Sequence, residues 1–116
     1  EAGPVAEVIP RLLRRAAEAY GAPGGLRGCL VLDGTRNCAD PEVRALTAEL
    51  RKLGRARLAG RIARDYPERA ADLADFVIVA LSGLSAAARD GMTLQALRRS
   101  AEIAAAGFRA QLSPGD

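Results

Sequence analysis

Histidine and tryptophan are absent from this chain of 116 residues, lysine occurs once, at Lys52, and cysteine twice, at Cys29 and Cys38. Without histidine there is no imidazole to act as a general base or a metal ligand, and no Ser or Cys stands beside a recognisable base. An enzyme is therefore not expected. Two cysteines without a histidine do not make a zinc site, and on one helix these two would lie on opposite faces. They read as buried reduced thiols, with no local disulfide, and neither a metal nor a cofactor is expected. The carboxylates of Asp33 and Asp65 form no pair, and the glycine-rich stretch at 21–28 lacks the Lys-Ser/Thr of a phosphate loop. No signal peptide and no apolar run of about 18 residues stands out, so a cytoplasmic protein without a membrane span is expected.

Aromatic residues are also few, at 3%: Tyr20, Tyr66, Phe76 and Phe108. The core must come from Leu, Val, Ile and Ala, which suits helices, and sparse β-branched residues argue against a sheet. With 49% hydrophobic residues the chain is long enough and apolar enough for one folded domain, taken as 1–116. The net charge is +3, but acidic residues interleave with the arginines almost everywhere. That pattern describes solvated helix faces rather than a phosphate-binding stripe. An opening at Glu1, not a methionine, is what a piece of a longer protein would show.

The hydrophobic spacing predicts an all-α fold of about five helices. The first runs from about Pro4 to Tyr20, with Val5, Val8, Ile9, Leu12, Leu13 and Ala16 on one face. Pro10 should kink or split it, and Gly21 should stop it in a left-handed conformation. A short second helix covers about Leu26–Thr35, although Leu30-Val31-Leu32 suits a buried strand equally well. A third begins at Asp40 and Pro41, a cap followed by a first-turn proline. Its apolar positions drift between Leu53 and Leu58, as if the buried face rotates or Gly54 and Gly60 admit a close neighbour. A fourth starts near Pro67 and carries two apolar stripes, so it must be covered on two sides. Gly91 ends it, and Thr93 caps a last helix whose Leu94, Leu97, Ala101, Ala104, Phe108 and Leu112 alternate three and four apart.

The last two helices are rich in small residues: Ser82, Gly83 and Ser85 to Ala88 on one, Ala101, Ala104 to Ala106 and Gly107 on the other. Small side chains let helix axes approach closely, and two such helices from each of two chains make a four-helix bundle. The expected pairing positions are Val77, Ala80, Leu84, Ala87, Ala88, Leu97, Ala101, Ala104, Ala105 and Phe108.

The run Arg27-Gly28-Cys29-Leu30-Val31, then Asp40-Pro41-Glu42-Val43, then Ala88-Arg89-Asp90-Gly91 before a final helix, resembles the C-terminal domain of TetR-family transcriptional regulators. The resemblance covers nearly the whole chain. It implies a homodimer formed by the last two helices and a small, mostly apolar effector bound among the earlier ones. It also implies operator DNA read by an N-terminal helix-turn-helix domain that this sequence does not display. The lining expected for the effector is Leu12, Leu13, Leu30, Leu50, Leu53, Leu58, Ile62, Tyr66, Phe76, Ile78 and Leu81, with Arg36, Asn37 and Arg57 as further polar candidates. The alternative is a helical protein-interaction module with no effector, which need not pair with itself.

Overall fold

The computed structural model describes residues 3–22 and 41–112, and of residues 41–51 the backbone alone. Four helices and no strand are found among the described residues: α1 (Val5–Gly21), α2 (Pro41–Ala63), α3 (Ala70–Arg89) and α4 (Leu94–Leu112). The short second helix expected over 26–35 and both cysteines lie outside the described residues. α1 packs chiefly along α4, and α3 lies against α1, α2 and α4. One core results, in which Val5, Ile9, Leu13 and Ala17 of α1 meet Leu73, Ala74, Val77 and Ala88 of α3, and Leu97, Ala101, Ala105 and Phe108 of α4.

α1 runs unbroken through Pro10, contrary to the expected split. Proline removes the N–H that the Ala6 carbonyl would accept four residues back. The guanidinium of Arg109 takes that place, its Nε donating to the Ala6 oxygen at 3.3 Å. The first turn is tied from other elements too. The Val5 N–H donates to Asp65 Oδ2 at 3.0 Å, and Arg61 donates to the Gly3 carbonyl. Asp65, which offered no role in the sequence, thus caps a helix that begins 60 residues earlier.

Gly21 is not a left-handed stop. It is the buried last residue of α1, and positive φ is confined to Gly3 and Gly91 among the described residues. Its lack of a side chain serves close approach instead: a Cβ there would lie 2.7 Å from Leu97 Cδ1 and 3.3 Å from the Leu94 Cα. Gly54 and Gly60, the positions expected to admit a neighbour, have nothing within 4 Å of where a Cβ would stand. α2 buries Ile62 and half-buries Leu58, Ala59 and Ala63, while residues 52–57 are all exposed, Leu53 at 61%. Among the described side chains of α2, those of 52–63, the buried face therefore lies in the last turns.

α3 starts at Ala70 rather than Pro67, because Pro67–Arg69 form a turn closed by the Arg69 N–H on the Tyr66 carbonyl at 3.2 Å. At its end Gly91, with φ 100°, completes a Schellman closure. The Gly91 N–H donates to Ala88 O at 3.1 Å and the Met92 N–H to Ala87 O at 2.9 Å. Thr93 then caps α4 as expected, its Oγ1 accepting from the Ala96 N–H at 3.1 Å.

Candidate functional site

α4 has two working edges. The edge facing α1 is laced by charge. Arg14 holds Glu102 through two bonds, Nε to Oε2 at 2.6 Å and Nη2 to Oε1 at 3.0 Å. One turn along, Arg98 grips Glu18 in the same bidentate way, with Nη2 to Oε1 at 2.8 Å. Positions 18, 14 and 6 of α1 meet 98, 102 and 109 of α4 in reverse order, so the helices run antiparallel. Hydrogen bonds from Arg98 hold the Glu18 carboxyl below its usual range, and those from Arg14 do the same for Glu102. All four groups are exposed to solvent, so these pairs set register more than stability.

The edge shared with α3 is built differently. From Phe76 to Ala88, α3 carries no charged residue. An open furrow of about 300 Å³ runs between the two helices, lined by Ala80, Gly83, Leu84, Ala87, Met92, Ser100 and Ala104. Val79 and Ile103, each next in sequence to a lining residue, are 68% and 74% exposed. At the other end of the same seam a second hollow of about 370 Å³ lies between Leu73, Phe76 and Gly107, with Arg69, Asp72 and Gln111 at its mouth. Arg69 closes that end, donating to the Gln111 carbonyl at 2.7 Å and to its Oε1 at 2.9 Å. On the far side of α3 the guanidinium of Arg55 is paired with Asp75, which raises its pKa and ties α2 to α3.

α3 is also long and apolar enough to cross a membrane by length and composition, which corrects the expectation that no such stretch exists. The helix owes that composition to being apolar on both sides. Leu73, Ala74, Val77, Leu84, Ser85 and Ala88 face the core, whereas Phe76, Val79 and Gly83 are exposed. A core helix passes the same test, and one such helix is weak evidence for a span.

The residues expected at an effector site lie in several settings. Leu13 and Ile62 are fully buried in the core. Leu12, Leu58, Tyr66 and Leu81 pack half-buried against it, and Ile78 is half-buried as well. Leu53 is exposed, and Phe76, 37% exposed, lines the hollow toward Gly107. Leu30, Arg36, Asn37 and the Leu50 side chain lie outside the described residues, and Arg57 is exposed.

Of the expected pairing positions, Val77, Leu84, Ala88, Leu97, Ala101, Ala105 and Phe108 are buried under the chain's own helices. Only Ala80, Ala87 and Ala104 border the open furrow as partly exposed groups. Leu97, Ala101 and Phe108 of the three-four seam of α4 are thus used inside the chain, while Ala104 borders the furrow. The outward positions Val79, Met92, Ser100 and Ile103 were not among those expected, whereas Gly83 and Gly107 had been noted as small residues. The charge-free run of α3 was the signal that could have found Val79. Among the described residues no group of His, Cys, Asp and Glu is arranged to hold a metal ion.

No family model and no solved structure matches the chain. It is 36% identical over 101 residues, 87% of its length, to the HTH-type transcriptional repressor BdcR of Escherichia coli (strain K12). The matched region is 51% of that protein, so the chain spans about half the length of its curated relative. The kinship is with a transcription regulator, a non-enzyme protein.

Proposed function

We propose, starting from that kinship, that this chain is the sensing and pairing part of a TetR-type transcription regulator, acting as a repressor inside the cell. DNA reading is assigned to the portion of such a regulator that corresponds to the rest of the relative's length. One observation carries the pairing: the charge-free run of α3 from Phe76 to Ala88 beside α4, where Val79 and Ile103 are exposed and small side chains line a furrow. The same patch holds both projections and a recess, so it is complementary to a copy of itself about a two-fold axis. Complete burial of Val79 and Ile103 would contribute about 1.5–3 kcal/mol each. On α4, Arg98 and Glu102 are engaged with α1, while the exposed Arg99, one turn before Ile103, borders the contact.

The effector is assigned to the fringe of the core where Leu12, Leu58, Tyr66, Ile78 and Leu81 are half-buried. A small, mostly apolar molecule fits that lining, with the Tyr66 hydroxyl as the polar handle. Its binding would favour one spacing of the paired DNA-reading parts, and the shift it can impose equals its difference in affinity between the two states.

Native mass spectrometry of the purified chain tests this reading. The expected result is a species at twice 12.1 kDa that carries additional small-molecule mass. A dimer that binds no apolar compound from a broad screen overturns the sensing half. A monomer at micromolar concentration overturns the pairing half and points to a module that docks a different protein.

A further inference from the structure

We infer that Arg109 is a joint through which the pairing of α4 is felt at the first turn of α1; the inference rests on the pairing proposed above. Pro10 leaves the Ala6 carbonyl without its helical donor, and the donor that replaces it, Arg109 Nε at 3.3 Å, belongs to α4. The other two ties on this turn come from elsewhere: Arg61 of α2 on the Gly3 carbonyl, and Asp65 of the following turn on the Val5 N–H. Of these three contacts, Arg109 alone originates on the helix that carries the open face. It follows Phe108, which is anchored in the core, and Gly107, which borders the seam with α3.

A second copy seated over Ile103 and Gly107 restrains the last turns of α4. The guanidinium two residues beyond Gly107 then spends more time on Ala6, and the first turn of α1 frays less. Loss of the partner frees α4 and loosens the same turn. A helix with an ordinary residue at position 10 would satisfy Ala6 internally and would be deaf to α4. Proline at this position is thus what makes the start of α1 depend on another helix.

Amide hydrogen exchange at Val8 and Ile9 reads this dependence, with the oligomeric state of each sample measured by sedimentation. In the otherwise unchanged chain, going from dimer to monomer by Ile103→Glu should speed exchange between about twofold and fivefold, the upper value corresponding to complete loss of the Arg109 bond. Adding Arg109→Met, which keeps an apolar stem and removes the donor, should leave less than about a twofold difference between dimer and monomer. Pro10→Ala, which restores an N–H for Ala6, should also abolish the difference while slowing exchange in both states. A dimer whose Arg109→Met form keeps the full difference overturns the joint and leaves pairing intact. A chain that is monomeric throughout overturns the pairing, and the joint with it.

Discussion

Where α4 faces α1, large apolar groups and bidentate ion pairs close the contact; where it lies beside α3, small side chains leave it open. The first edge buries Phe108, Leu97 and Ala101 completely and fixes register through Arg14–Glu102 and Glu18–Arg98. The second leaves Val79 and Ile103 in water around a furrow of about 300 Å³. A single chain can cover only so much apolar surface, and this one covers α4 from the α1 side first. The difference separates residues that hold the fold from residues available to a second copy, and substitutions on the two edges should fail in different ways.

The largest effect is expected on the closed edge. Phe108→Ala removes the largest fully buried side chain among the described residues and should cost about 3–5 kcal/mol in urea denaturation. A loss under about 1 kcal/mol would mean that the closed edge is not what holds the fold. Gly21→Ala comes next. Its Cβ would meet Leu97, which is fully buried and has little room to move, and the Leu94 backbone, so about 1–3 kcal/mol should be lost. An unchanged urea midpoint would show that α1 and α4 are less tightly opposed at this point. On the open edge, Ala87→Arg should leave the unfolding of the monomer within about 0.5 kcal/mol of the parent chain while weakening self-association. A variant that unfolds outright would place Ala87 in the core rather than on a free face.

The smallest effect concerns the ion pairs. Glu18 and Glu102 have carboxyls held low by their arginines, so whatever they contribute is present above the ordinary carboxylate pKa of about 4.3 and lost as pH falls through the lower folded value. Because both pairs are exposed, only a shallow drop in melting temperature is expected below about pH 4, and 1 M salt should flatten it. Persistence of the same drop in a chain carrying both Arg14→Ala and Arg98→Ala would show that other groups cause it.

The helical class, the start of α2 at Pro41 and the Thr93 cap were legible in the sequence, since each is written in local spacing or one residue's hydrogen-bonding habit. Long-range partners were not. Nothing near Pro10 announces that Arg109, 99 positions later, will supply the missing donor, nor that Asp65 will cap Val5. Gly21 was read for its backbone freedom, and its actual role, room for Leu97, exists only once α4 is folded against α1. The pairing residues were sought on the most regular apolar stripe of α4. That regularity was serving α1, and the weaker stripe of small groups with isolated Val79 and Ile103 remained outward.

Sedimentation equilibrium of the chain and of its Ile103→Glu form tests the central claim most directly. The account predicts a dimer of the 12.1 kDa chain at micromolar concentration and a monomer with unchanged helix content for Ile103→Glu. A variant that stays dimeric, or a parent chain that never pairs, would contradict it.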